Sequence, residues 1–146
     1  MFIYGKTAAN AIAVMSYLAA DPAKRSGSGE IAKDRKISQA LTAKLLTQLA
    51  SAGLVSGQPG PGGGYTLAKP AKKIRLMDIV QLFEQTDTPT LCPFGSGWCG
   101  HGDPCPLHDR IAGMIETNRR FMENSNLGSF VGIVPTRSKG KRNSAR

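Results

Sequence analysis

Residues 37–67 read ISQALTAKLLTQLASAGLVSGQPGPGGGYTL, and the order of signals in this stretch decides the fold. Ser38 has the side chain of an N-cap and stands ahead of Leu41, Leu45, Leu49 and Ala52, which recur on one helical stripe. Gly53 falls where a C-cap glycine ends such a helix. The chain then turns to strand-forming residues, Leu54-Val55-Ser56. Gln58-Pro59-Gly60-Pro61-Gly62-Gly63-Gly64 follows as a tip, and Tyr65-Thr66-Leu67 returns as a second strand, so a β-hairpin is predicted. Upstream, Ala8, Ile12, Met15 and Ala19 mark a helix over 6–20, stopped at Asp21-Pro22 because a residue before proline avoids helical backbone. After the connector Ser26-Gly27-Ser28-Gly29, a short helix fits 29–35.

A short helix, a tight turn, a second amphipathic helix and a hairpin form the layout of a winged helix–turn–helix. Its second helix fits the major groove, with the residues near its N-terminus facing base edges. Those positions are Ser38, Gln39, Thr42 and Ala43, all expected to be exposed. Gln39 can pair twice with adenine, and Lys44 suits a phosphate. At the hairpin tip, Gln58, Gly62 and Gly63 allow close approach to the sugar-phosphate chain. The bland alternative is a core helix beside an ordinary hairpin. A nucleotide phosphate loop at GPGGGY is disfavoured, because strand residues rather than a helix follow it and no GK[ST] ending is present.

Leu76, Ile79, Val80 and Phe83 predict another amphipathic helix. Residues 86–105 read as a Gly/Pro/Cys loop. A long helix is expected from about 106 to 123, with Ile111, Met114, Ile115, Asn118 and Met122 along one side. The fold class is therefore mainly α with a small β-hairpin. The expected division is a winged helix–turn–helix unit over 1–85, the cysteine-rich loop over 86–105, a long helix and end segment over 106–136 (the dimerisation helix on the resemblance given below), and a disordered basic tail over 137–146.

Charge supports a polyanionic partner. The chain has 146 residues and a formal net charge of +9. Residues 1–75 carry eleven Lys/Arg against Asp21, Glu30 and Asp34, whereas 76–136 carry three arginines against seven carboxylates. The last ten residues add Arg137, Lys139, Lys141, Arg142 and Arg146 with no acid. This field favours double-stranded DNA, and the tail is a candidate for extra phosphate contacts. No apolar run reaches the length of a membrane span. The alanine-rich stretch at 8–20 is interrupted by Asn10 and Ser16 and preceded only by Lys6, a poor export signal, so a cytoplasmic protein is expected.

The three cysteines, Cys92, Cys99 and Cys105, are followed by His108 in the spacing C-x6-C-x5-C-x2-H. Thiols clustered on a glycine-rich segment can converge on one centre, and thiolates bind soft metals and iron–sulfur clusters. If Pro106 opens the helix, Cys105 sits at its N-terminus, where the dipole favours the thiolate. Cys92, Cys99, Cys105 and His108 would complete the ligands of a 2Fe–2S cluster, while a 4Fe–4S cluster would leave the fourth to be found elsewhere. Zinc and metal-free thiols stay open as alternatives. His101, flanked by glycines, reads as a solvent-exposed residue, and Trp98 as a shield or dimer contact.

Over about residues 1–130 the sequence resembles the IscR/NsrR/BadM-type winged helix–turn–helix regulators, many of which carry iron–sulfur clusters. The resemblance is carried by Ile37-Ser38-Gln39-Ala40 through Leu49, by Ala52-Gly53-Leu54-Val55, by GPGGGY at 60–65 and by Ile74-Arg75-Leu76-Met77-Asp78-Ile79-Val80. It implies a homodimer with exchanged long C-terminal helices and an iron–sulfur cofactor on the three cysteines. In the IscR-like branch a histidine also follows the third cysteine at the spacing of His108, although the first cysteine gap is one residue longer here. The family commonly has an arginine just before the wing glycines, where this chain has Gln58-Pro59.

The expected function is a DNA-binding transcription regulator, a repressor, whose operator affinity follows iron supply, nitric oxide or redox state. The alternatives are a cluster- or zinc-binding redox protein and a thiol-based regulator without a cluster. An enzyme is disfavoured: Cys105 and His108 could imitate a thiol–imidazole pair, but no third orienting group accompanies them.

Overall fold

The computed structural model describes residues 4–84, 94 and 102–133. The elements run α1 (Lys6–Ala20), α2 (Ser28–Arg35), α3 (Gln39–Ser51), β1 (Val55–Gln58), β2 (Gly64–Leu67), α4 (Leu76–Val80) and α5 (His108–Asn124). Two 3₁₀ turns, Ala71–Lys73 and Leu127–Phe130, flank α4 and α5. Mainly helical structure with one antiparallel hairpin is what the sequence predicts.

α1 is the central helix. Ala8, Ala11, Ile12, Val14, Met15, Leu18 and Ala19 are all buried on it; the three alanines let neighbouring elements approach closely, while Met15 and Leu18 fill the core. α2 is held against α1 by polar contacts. Arg35 Nε donates to the Ala13 carbonyl at 2.9 Å, and its guanidinium stacks 5.5 Å from the Tyr17 ring centre. The Tyr17 hydroxyl donates to Glu30 at 3.0 Å, and Lys24 pairs with the same carboxylate. The Lys24 ammonium holds the Glu30 carboxyl below its ordinary pKa. α3 buries Leu45, Leu46 and Leu49 completely. Truncating any one of them to alanine costs about 2–5 kcal/mol by the behaviour of packed leucines.

The hairpin pairs Val55 with Leu67, Ser56 with Thr66, Gly57 with Tyr65 and Gln58 with Gly64. A third segment joins its edge. Ser26 N donates to the Tyr65 carbonyl at 3.1 Å, and Tyr65 N donates to the Ser26 carbonyl at 2.8 Å. This explains Gly64, which has φ +124 and where a Cβ would lie 2.9 Å from the Ser26 backbone.

α4 is shorter than the predicted helix. Five residues are helical and turns carry the chain on to Phe83, so the apolar set Leu76, Ile79 and Val80 is buried without a further helical turn. α5 begins at His108, two residues after the predicted start. Pro106 and Leu107 lie in a turn closed by His108 N donating to the Cys105 carbonyl at 3.0 Å. Cys105 therefore precedes the helix by a turn instead of capping it.

Beyond α5 the chain folds back, which the sequence pattern does not announce. Leu76 N donates to the Ser125 carbonyl and Leu127 N to the Ile74 carbonyl, each at 2.9 Å, and Leu127 is fully buried. Gly132 N then donates to the Ala20 carbonyl at 2.9 Å. The expected tail over 137–146 lies outside the described residues.

Candidate nucleic-acid interface and cysteine segment

The turn between α2 and α3 aims the second helix. α2 ends at Lys36, which takes the left-handed conformation at φ 54 and whose N–H donates to the Ala32 carbonyl. Two residues later Ser38 adopts extended backbone, and its hydroxyl accepts from Leu41 N at 3.2 Å. That bond satisfies one of the amides left open at the start of a helix.

α3 is turned differently about its axis from the predicted stripe. Thr42 is fully buried, its hydroxyl donating to the Ser38 carbonyl at 3.0 Å. It locks the first turn and cannot reach a base edge, so the expectation that Thr42 is exposed is corrected. Leu41 is half-buried and Ala52 exposed, and the core stripe is Thr42, Leu45, Leu46 and Leu49. Ser38, Gln39 and Lys44 are exposed as predicted, and Ala43 is half-buried.

The outward face of α3 thus presents Gln39, Ala40, Ala43, Lys44, Thr47 and Gln48. Thr47 and Gln48 were not expected on it. A spacing of four from Ala43 and Lys44 would have found them, once the buried side was set by Leu45-Leu46 rather than by Leu41 and Ala52. Small and uncharged polar side chains on that face allow close approach to a groove floor. The Gln39 amide also rests on α2, since a Cβ at Gly29 would lie 3.4 Å from it.

The hairpin tip bends through Gly60 at φ +86 and Gly62 at φ +72. Gly63 is hemmed in from inside the turn: a Cβ there would lie 2.1 Å from the Gln58 carbonyl oxygen. Gln58 and Gly62 are exposed and Gly63 is half-exposed.

Of the predicted ligand set, Cys105 and His108 are described, both half-buried and joined through one turn. Cys92 and Cys99 lie outside the described residues, as do His101 and Trp98. Among the described residues no group of three or more His, Cys, Asp or Glu side chains gathers in one place. In chemistry the set of three thiols and one imidazole fits a soft metal or an iron–sulfur centre, and its two described members stand three residues apart in a single turn.

α5 is two-sided. Arg119 bridges Glu116 and Glu123, each at 2.7 Å, and Arg120 reaches Glu116 at 2.9 Å. The hydrogen bonds from Arg119 and Arg120 lower the Glu116 carboxyl to about 2. The other side carries Ile111, Met114, Ile115 and Asn118. Met122 continues that side into the core. Among the described residues no helix is long and apolar enough to cross a membrane.

Comparison with known proteins places this arrangement. Residues 4–132 match the Rrf2 family, described as iron-dependent transcriptional regulators. The HTH-type transcriptional regulator IscR of Klebsiella pneumoniae (strain 342) is 33% identical over 102 residues, 70% of this chain. The chain spans 62% of the length of that relative. A protein of Aquifex aeolicus (strain VF5) is 28% identical over 133 residues, which are 90% of this chain and 92% of its own. Among solved structures, CymR, the global cysteine regulator of B. subtilis, superposes with a TM-score of 0.72 at 19% identity, covering 89% of this chain and 98% of CymR. T. potens IscR gives 0.66 at 19% identity, covering 84% and 81%. Both share the winged-helix fold, and the named relatives are transcription regulators rather than enzymes. With a match running from α1 to the segment that folds back after α5, the chain belongs to the Rrf2 family of transcriptional regulators.

Proposed function

We propose that this chain is a homodimeric, cytoplasmic repressor that grips a double-stranded operator with α3 and the hairpin, and that its grip is set at the cysteine segment. The observation that carries the DNA reading is the exposed, nearly uncharged face of α3 beside a glycine tip, flanked by Lys36 and Lys44. Ser38, Gln39 and Ala43 face the bases, Lys44 takes a phosphate, and Gln58, Gly62 and Gly63 approach the backbone.

Cys92, Cys99, Cys105 and His108 would hold an iron–sulfur centre, 2Fe–2S in preference to 4Fe–4S, with zinc as the alternative occupant. Such a centre, when bound, supplies a labile redox group responsive to iron supply, nitric oxide or oxidant. The chain's own part is mechanical. Cys105 and His108 form the turn that starts α5, and Met122 and Leu127 anchor the other end of α5 in the core. A change in how that turn is held shifts α5 against its partner and alters the separation of the two α3 helices.

Anaerobic purification with visible spectroscopy and iron, sulfide and zinc analysis tests the cofactor, and gel shifts with genomic fragments test the DNA reading. A coloured protein with iron and sulfide that loses its spectrum in His108→Ala supports the ligand set. Stoichiometric zinc in a colourless protein, or thiols without metal, overturns the cluster. Metal-free thiols whose oxidation changes DNA affinity point to the thiol-based regulator.

A further inference from the structure

The hairpin, residues 55–67, contains no charged residue. A wing without cations is a poor partner for phosphates, yet its sheet does not end at the hairpin. The mutual hydrogen bonds of Ser26 and Tyr65 extend it by one antiparallel position at the β2 edge. In the hairpin register Tyr65 faces Gly57, and Val55 and Leu67 lie on that same side, where Val55 is buried and Tyr65 and Leu67 pack against the core. Ser26 is 2% exposed. Carried one residue back from the Ser26 bridge, the alternation of a strand assigns the residue before Ser26 to the opposite, outer face, that of Thr66, Ser56 and Gln58. That residue is Arg25, and it is exposed.

Its neighbours in sequence are committed elsewhere. Lys24 is paired with Glu30, and Ser26 is spent on the sheet. Among the described residues no carboxylate forms an ion pair with Arg25, whereas Arg35, Arg75, Arg119 and Arg120 all have one. Arg25 is thus a guanidinium available to an anion on the outer face of the wing sheet, two residues before the N-cap of α2.

We propose that Arg25 is the phosphate contact of the wing, a cation supplied by the strand that flanks the hairpin rather than by the hairpin itself. The inference rests on the DNA reading above. A guanidinium engages phosphate through paired N–H donors, and this contact carries no base information.

The test is operator binding by the full chain at several salt concentrations, for the wild type, Arg25→Gln and Arg25→Lys. Arg25→Gln is expected to weaken operator and unrelated duplex alike, by about 3–10-fold near 0.1 M salt, and to lower the steepness of the salt dependence by about one per protomer. Arg25→Lys keeps the charge and is expected to keep that steepness. The exposed side chain predicts no change in melting temperature for either variant. An unchanged salt slope in Arg25→Gln, or the same loss in Arg25→Lys, overturns the proposal while DNA binding stands. A wild type that binds no duplex removes the DNA reading, and this inference with it.

Discussion

Among the described residues, Lys36 is the one non-glycine with a left-handed backbone, φ 54, and it occupies the hinge of the helix–turn–helix. An L-residue pays roughly 1–2 kcal/mol for that conformation, whereas glycine pays little for it but loses about 0.5–1 kcal/mol more chain entropy on folding. Lys36→Gly is therefore expected to stabilise the protein by about 0.5–1 kcal/mol, read as a higher urea midpoint with an unchanged slope. It also removes an exposed cation next to α3. Duplex affinity is expected to fall a few-fold at low salt even as stability rises. On the proposed DNA reading, the Lys36 charge contributes more at the interface than its strained backbone costs the fold. A variant with a lower midpoint would show that Lys36 makes a contact that outweighs the strain.

At the scale of elements, α3 separates what binds from what holds. Gln39 is exposed at its first turn, and Thr42, three residues on, is buried with its hydroxyl on the Ser38 carbonyl. Gln39→Ala is expected to lose about 1–3 kcal/mol of discrimination at one adenine position, measured by binding to a set of single-base operator variants. Thr42→Val is expected to cost about 1 kcal/mol of stability and to leave the sequence preference unchanged. If Thr42→Val changes base preference, the buried placement of that residue is wrong. The same helix shows what the sequence reveals and what it hides. The caps were legible, because Ser38 and Gly53 act through local backbone geometry. The hairpin was legible because Gly60 and Gly62 take positive φ and Gly63 and Gly64 leave no room for a Cβ. The rotation of α3 was not legible, since Leu41-Leu45-Leu49 and Leu45-Leu46-Leu49 are both helical stripes and only packing against α1 and α2 chooses between them. Nor was the backfold at Leu127, which depends on amides and carbonyls contributed by residues some fifty positions apart, at Ile74 and Leu76. The start of α5 was misplaced because Pro106 fits a first helical turn as well as the preceding turn it actually occupies.

On the scale of the whole molecule, α5 reaches the core through Met122 near its end and leaves Met114 and Ile115 exposed. Met122 is 3% exposed, but Met114 is 51% and Ile115 58% exposed. With seventeen residues the helix is about 25 Å long, and Met122 is its one residue buried in the core among the described residues. The ion pairs of Glu116, Arg119, Arg120 and Glu123 occupy the side away from Ile111 and Met114, with Ile115 at the border between the two sides. They make that side suited to water and leave the apolar side to be covered. In the proposed homodimer a second copy related by a two-fold axis covers it with the same side chains, and that proposed arrangement also presents two α3 helices to successive major grooves. Ile115→Glu places two carboxylates in that contact, one from each copy, where neither has a partner. The variant is expected to sediment as a monomer with the helix content of the wild type, because Ile115 is exposed within its own chain. Operator affinity is expected to drop by at least about tenfold, since each monomer then engages one half-site without the other. Binding to a single half-site is expected to change little, because α3 and the wing are untouched. A dimer that survives Ile115→Glu would mean that the copies meet through another surface, and the route from the Cys105–His108 turn to the spacing of the α3 helices would have to run outside α5.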